Sequence, residues 1–461
     1  MSGSSGWQDA PVEIIWEISL SIVSDKDWVN FGSLCQRYRA AYQDEHRSLW
    51  RRRFLQAFDT PACWDFYAPY FVNLAATTVY TKRQRRLIAP VDFTDRARKA
   101  DQEETLVVLR DLIIESAFTN GHSKNLQVLR DFAIRCNLLR INLATRHHGF
   151  GYSRLHLTIL AVLFPLSTFQ QSNSLQHNVA SRRVSEYTFQ DFPAAQQMMY
   201  APTDQEPLIG HPSDDDSNEV VNVRWLAEAT YFFQEHMGRS EYDILHLAWE
   251  GLVEEERPRL WQRSLREGTQ RVGTHWLGTH SYLNEEDLAV VRQGNNGGMD
   301  WVSDEFAEEE SGKFHNYRIE FAKDEGDILW PLSFDLTLGC DESANRIDES
   351  DPDTPLHFAV SGFRPDGPQF EARGWLNPLP PQQNIPGWMK VTMISFGRDN
   401  SSRPILDDDN CWGYEGIALP GGQIIMGRWF RPGATDDTQY SGPMLWWCVD
   451  GAHRQKLGHD T

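Results

Sequence analysis

The chain has no long hydrophobic run. Its most apolar stretch, Leu155 to Leu166, is twelve residues long and interrupted by Pro165. That falls short of the roughly 20 residues that cross a bilayer, so the stretch reads as a buried helix. The first residues lack a basic segment followed by an apolar one, the mark of a secretory leader. The expectation is a soluble protein of the cytoplasm, the nucleus or both, with no membrane contact. Positive charge is scarce as well: Lys and Arg number 44 against 65 Asp and Glu, a formal charge of -21. A surface of that sign repels phosphate backbones, which argues against nucleic acid as a partner.

Paired cysteines are missing. The six (Cys35, Cys63, Cys136, Cys340, Cys411, Cys448) lie far apart with no C-x-x-C, so neither a zinc knuckle nor a disulfide framework is indicated and buried, reduced thiols are expected. Catalytic frames are missing too. The closest histidine pairs, His147-His148 and His275 with His280, lack H-E-x-x-H or His-carboxylate spacing. Gly294 to Gly298 is not followed by Lys-Ser/Thr, and no G-x-S-x-G elbow occurs. The acidic runs Asp304 to Glu310 and Asp407 to Asp409 lack the ligand order of a calcium loop and read as solvated charge. These absences leave a non-catalytic protein without metal or cofactor as the expectation.

At 461 residues the chain exceeds the roughly 250 to 300 that one hydrophobic core usually serves, so several units are expected. Apolar residues at three- and four-residue spacing run from residue 10 to about 160, as in Leu106, Val107, Leu109, Leu112 and Ile113, and predict helices. Residues 168–220 are rich in Ser, Gln, Asn and Asp and read as a flexible polar and acidic insertion, with a short ordered patch around Tyr187 to Phe192. Helical spacing returns within 221–269, a helical connector.

From His275 the pattern changes to short alternating runs: His357 to Gly362, Phe370 to Leu376, Lys390 to Phe396, Trp412 to Leu419, Ile424 to Phe430 and Met444 to Val449. Arg364-Pro365-Asp366-Gly367 and Leu419-Pro420-Gly421-Gly422 each join a φ-fixing proline to a permissive glycine and predict hairpins. Glycines within the runs suit a strongly curved antiparallel sheet. The fold class is therefore α+β, ending in an antiparallel barrel over 270–452 or in a sandwich.

The first sixty residues hold the most specific pattern. Pro11 and Glu13 suit a helix start. Ile14, Ile15, Ile18 and Ile22 form one stripe, Trp28, Phe31, Leu34, Cys35 and Tyr38 a second, and Trp50, Phe54 and Phe58 a third, predicting three short helices. So small a bundle, with Trp16, Leu20 and Leu55 off its stripes, is expected to complete its core against a partner.

The order Pro11-x-Glu13-Ile14-Ile15, Asp25-x-Asp27, Phe31, Leu34-Cys35-x-Arg37-Tyr38-Arg39 and Leu49-Trp50-Arg51-x-x-Phe54 resembles the F-box family over residues 9–58. The resemblance implies a three-helix module that docks on a Skp-type adaptor, and through it a cullin, by way of Pro11, Ile14, Ile15, Ile18, Leu34, Cys35, Tyr38, Trp50 and Phe54. Ala10 stands where that family usually has leucine, a loss of about 1–2 kcal/mol of apolar contact if the position is buried. Residues 59–167 would then be a helical linker region.

The C-terminal half resembles the associated region of largely fungal F-box proteins, through His275-Trp276-x-Gly278-Thr279-His280-x-Tyr282, Trp412-x-Tyr414-Glu415-Gly416 and the block from Leu419 to Trp429. That resemblance implies a β-rich target-binding module, barrel-shaped like the lipocalins, and names no target. Trp276, Tyr282, Trp412, Tyr414, Arg428 and Trp429 are the candidate substrate contacts, since aromatics with polar tips suit an apolar pocket and an arginine adds charge selectivity. Filling the core is the competing role for each tryptophan. The whole chain then reads as the substrate-recognition subunit of an SCF-type ubiquitin ligase, bridging an adaptor and an unidentified protein substrate. The alternative is a barrel that binds a small molecule or peptide as carrier or sensor.

Overall fold

The computed structural model describes residues 10–42, 48–61, 64, 69–88, 91–93, 98–136, 138, 152–163, 165, 192–210, 219–238, 244–267, 272–293, 302–306, 314–321, 356–363, 370–398, 404–405, 411–432 and 439–450. They form two compact units, divided between residues 137 and 138. The first is helical: α1 Val12–Ser21, α2 Asp25–Ser33, α3 Gln36–Tyr42, α4 Ser48–Ala57, α5 Pro69–Ile88, α6 Lys99–Ile114 and α7 Lys124–Arg135. The second holds α8 Arg154–Val162, α9 Phe192–Met199, α10 Val223–Gly238, α11 Ile244–Glu250 and α12 Glu285–Gln293 together with all the strands.

The opening bundle has four helices rather than the expected three. The second stripe breaks at Leu34-Cys35, after Gly32 and Ser33, two residues of low helix propensity. The ring of Tyr42 on α3 lies so close to Gly32 that a Cβ there would stand 2.7 Å from it, which brings α2 and α3 together. Pro11 caps α1 from one residue before the first turn, and Ser24 accepts the Asp27 N–H to cap α2. Arg53 finishes α1 by donating to the carbonyls of Ile22 and Val23 at 2.8 and 3.1 Å and to the Tyr80 hydroxyl at 3.0 Å.

Residues 9–58 are tied to the later helices of their unit. Asp59, buried at the end of α4, accepts from Ala117 N, Ser123 Oγ, Lys124 N and Asn125 N at 2.5–3.1 Å. Most of those donors open α7, so one carboxylate joins the first helices to the last of the unit.

The second unit is a barrel with helices on its flank. Strands β3 His275–Tyr282, β5 His315–Phe321, β6 Leu356–Phe363, β7 Phe370–Pro378, β8 Met389–Arg398, β10 Cys411–Ala418, β11 Ile424–Phe430 and β12 Ser441–Cys448 pair antiparallel in that order, and β12 returns to β3. Contact between β8 and β10, from Cys411↔Phe396 to Ala418↔Met389, completes an eight-stranded closed barrel. Short strands lie outside that circle: β1 Ile209–Gly210 with β2 Val220–Val221, β4 Glu305–Phe306 on β3, and β9 Pro404–Ile405 on β8. The sandwich is thereby replaced: the circle of eight strands leaves no open edge to stack.

The Leu419–Gly422 hairpin forms as expected, with Gly421 at φ 91° and Gly422 at φ 62° and Leu419 N–H donating to Ile424 O at 2.9 Å. The turn at 364–367 lies outside the described residues, though β6 and β7 pair on either side of it. Gly278 shows why the lumen needs glycine. It sits opposite Trp446, and a Cβ there would stand 2.3 Å from the indole.

Two expectations for the middle of the chain change. The segment 168–220 is not uniformly unstructured: α9 buries Phe192, Ala195, Met198 and Met199, followed by buried Tyr200. Its apolar residues recur at helical spacing inside a polar composition that hides them. The connector 221–269 packs on the barrel instead of spacing it from another unit, with Trp447 Nε1 donating to Glu256 O at 2.7 Å and Trp249 edge-on to Trp447. Asp304, expected in solvated charge, is a buried hub. It accepts from the Tyr200 hydroxyl at 2.6 Å and Gln196 Nε2 at 2.8 Å, and pairs with His236 Nε2 at 3.0 Å. Burial first, and then the Asp304 charge, pushes the Tyr200 phenol well above its ordinary range.

Candidate functional site

The barrel is filled at one end and open at the other. Inward positions follow the period-two alternation of each strand. Toward the closed end Trp276, Ile319, Phe358, Leu376, Met389, Val391, Ile425 and Cys448 pack into one apolar plug. Burial first pushes the Cys448 thiol up to about 12, so it is an inert core group at neutral pH. Trp276, with Nε1 held by Gly273 O at 2.7 Å, belongs to this plug and not to a cavity wall.

Above the plug lies a cavity of about 360 Å³, lined among others by His280, Tyr282, His315, Tyr317, Phe370 and Ser395, and by Trp412, Tyr414, Trp429 and Tyr440. The floor is Tyr317 stacked on Trp446, 4.2 Å between centroids and 20° between planes. Trp412, Trp429 and Tyr440 form one wall of tilted and edge-to-face rings at 5.3–6.3 Å, the spacing at which aromatic quadrupoles attract. Trp429 Nε1 donates to Ser281 O at 3.0 Å and the Tyr440 hydroxyl to Leu283 O at 2.6 Å, so the wall is pinned from behind. The imidazoles of His280 and His315 lie parallel at 5.5 Å beside it. Among the described residues no carboxylate or ammonium lines the cavity. Burial first, then Glu285 and Glu305, raise the Tyr440 phenol, with Arg431 acting against them.

Of the six candidate contacts, Tyr282, Trp412, Tyr414 and Trp429 line this cavity. Arg428 does not. Alternation that turns Trp429 inward turns Arg428 outward, where it is fully buried, donates to Glu415 at 2.5 Å and reaches Thr203 O at 3.2 Å. It fastens the 200–210 segment to the barrel flank. Phe370, Tyr440, Tyr317 and His315 are additions that the sequence pattern does not single out, and His280 joins them from the family-like stretch His275–Tyr282, although it is not among the six candidate contacts. For Tyr317 and His315 a signal exists: β5 reads His-Asn-Tyr-Arg-Ile-Glu-Phe, apolar or aromatic residues alternating with exposed Asn316, Arg318 and Glu320.

The helical unit offers a different surface. Pro11 is exposed, Ile14 is 48% exposed and Leu34 69% exposed, with Val12, Phe31 and Cys35 partly covered beside the small core of Ile15, Tyr38 and Ala41. The adaptor residues named from the family pattern therefore divide. Pro11, Ile14 and Leu34 face out and Ile18 and Cys35 are half-buried, whereas Ile15, Tyr38 and Phe54 are interior. Trp50 packs edge-on to Trp28 at 4.7 Å and donates to Tyr42 O at 3.0 Å, so it is engaged within the bundle.

Among the described residues no helix is long and apolar enough to cross a membrane and no group of three or more His, Cys, Asp or Glu is placed to hold a metal. No protein-family model, curated protein or solved structure matches the chain.

Proposed function

We propose that the chain is the substrate-recognition subunit of an SCF-type cullin-RING ubiquitin ligase. In this reading the helical unit grips a Skp-type adaptor, itself bound to a cullin, and the barrel mouth grips a protein target. The observation that carries it is the apolar ridge of Pro11, Ile14 and Leu34 left open on the helical unit. Exposed aliphatics of this kind suit a covering partner, and they fall on positions that the family pattern assigns to the adaptor. The role needs no catalytic residue in this chain. It raises the effective concentration of the target beside a charged conjugating enzyme in the cytoplasm or nucleus.

A second reading, a carrier or sensor barrel without a ligase role, is favoured by one specific observation: the aromatic cavity is of a size that encloses a small molecule, as lipocalin-type up-and-down barrels do.

The test is a pull-down of the purified chain with a Skp-type adaptor, comparing wild type with an Ile14→Asp, Leu34→Asp variant. Both side chains are outside the core, so circular dichroism should be unchanged. Capture of wild type and loss in the variant supports the ligase role. Failure of wild type to bind sinks it and leaves the carrier reading.

A further inference from the structure

Among the described residues, the cation that reaches the aromatic wall is Arg431. It follows β11 directly, and the alternation that turns Ile425, Gly427 and Trp429 into the lumen turns residue 431 the same way. Its guanidinium carbon stands 5.5 Å from the centroid of Trp412, and its backbone N–H donates to Tyr440 O at 2.8 Å, fixing it at the rim. Its Nε is buried without a hydrogen-bond partner, and among the described residues no carboxylate pairs with it. Arg428 is held by Glu415, and Arg398 by Glu371. The carboxylates that act on Tyr440, Glu285 and Glu305, belong to α12 and β4; β4 pairs with β3, so Glu305 lies toward β3 rather than β10. A guanidinium with no carboxylate partner among the described residues is thus set against an aromatic cavity that has no acid of its own among them, in a chain of net charge -21.

We propose that the mouth takes an aromatic ring bearing an anionic group, the ring lodged against Trp412, Trp429 and Phe370 and its carboxylate or phosphate on Arg431. The proposal rests on the barrel mouth being the ligand site. A guanidinium presents a planar fork that matches both anions bidentately, and the rings supply the apolar body with edge-to-face partners. Two sources share this chemistry: a phosphotyrosine side chain of a protein target and a free aromatic acid.

Titration calorimetry on the full chain separates them, using indole-3-propionate against indole-3-propionamide, and a capped alanine peptide with a central phosphotyrosine against its tyrosine twin. One anionic probe is expected to bind tighter than its neutral twin by roughly tenfold or more, the size of one charge-assisted contact. The preference should vanish in Arg431→Gln and return in part in Arg431→Lys, while Trp412→Ala weakens both members of the pair. Whichever pair responds identifies the source. Equal affinity within each pair, a preference that survives Arg431→Gln in a variant with unchanged thermal unfolding, or no binding by any probe overturns the proposal. Adaptor capture is read separately. If it stands while the probes fail, only the ligand class falls; if it fails while the Arg431-dependent preference stands, the mouth survives and the ligase role does not.

Discussion

The two candidate surfaces are built on opposite plans. The helical unit presents aliphatics outward: Ile14 and Leu34 lie on or beside short helices whose interior partners, Ile15 and Tyr38, are already satisfied. The barrel turns its aromatics inward and covers its outer flank with helices, so that recognition happens in a cavity about 360 Å³ in volume. An outward ridge suits a partner met as a preformed surface, whereas a lined cavity suits a group inserted from the end. The difference is also one of energetics. Ridge residues contribute little to folding and are free to serve binding, while each wall residue of the mouth is also part of the barrel core.

That contrast is broken most severely at the two buried carboxylates. Asp304→Ala leaves Tyr200, Gln196 and His236 without their shared acceptor, and Asp59→Ala strips four donors at and just before the start of α7. Each is expected to cost about 3–5 kcal/mol. In calorimetry Asp59→Ala should lower the transition that abolishes adaptor capture, and Asp304→Ala the one that abolishes ligand binding. A single transition shifted equally by both would show that the units unfold together.

The next effect is pH-dependent and confined to the barrel-bearing unit. His156 on α8 is held down to about 4 by burial, with a hydrogen bond to the Leu138 backbone pulling the other way. The folded pKa lies below the unfolded value near 6.5, so His156 costs nothing above that pH and opposes folding increasingly as pH falls from about 6.5 toward 4. The loss over that window is about 3 kcal/mol. Urea midpoints at pH 7.5 and 4.5 should differ less for His156→Asn than for wild type. The same slope in both would rule out His156 as its source.

Two arginines three positions apart sharpen the comparison further. Arg428→Gln leaves half-buried Glu415 without its cation and should cost about 2 kcal/mol, whereas Arg431→Gln, which breaks no ion pair among the described residues, should unfold within about 0.5 kcal/mol of wild type. Chemical denaturation of the two variants decides it. Comparable losses would mean that Arg431 is structural.

Those two positions also show how far the chain can be read without coordinates. The six runs become β6, β7, β8, β10, β11 and β12 because glycine and proline punctuate them, and along each strand successive side chains point to opposite faces. The same alternation assigns the arginines, since an inward Trp429 sends Arg428 outward and Arg431 inward. Chain adjacency favours Arg428 as the partner of Trp429, and adjacency misleads because neighbours in a strand point apart. Composition misleads at α9, where five buried apolar residues within the nine-residue span 192–200 outweigh the polar tract around them. Closure of the barrel is beyond any local pattern, because β8 meets β10 and β12 meets β3 through pairings that only the curvature of the whole sheet determines. On the helical unit the stripes are legible, but not which stripe members remain outside. Exposure of Ile14 and Leu34 beside burial of Ile15 and Tyr38 depends on where α3 lies against α1.

The smallest expected effect on stability is the most informative about function. Ile14→Asp and Leu34→Asp replace side chains that are 48% and 69% exposed, so unfolding should shift by no more than about 0.5 kcal/mol each. Yet each places a charge where an apolar partner would have to desolvate it, which should weaken adaptor capture by a factor of roughly a hundred. Ile15→Asp on the same helix as Ile14 reverses that pairing of outcomes, since a carboxylate in a fully buried position destabilises the bundle before any partner is met. Measuring melting temperature and adaptor capture for the three variants therefore separates a surface kept apolar for a partner from one that is merely the edge of a core. If Ile14→Asp and Leu34→Asp leave both quantities unchanged, the ridge is solvent-facing by default and the contrast between the two surfaces disappears.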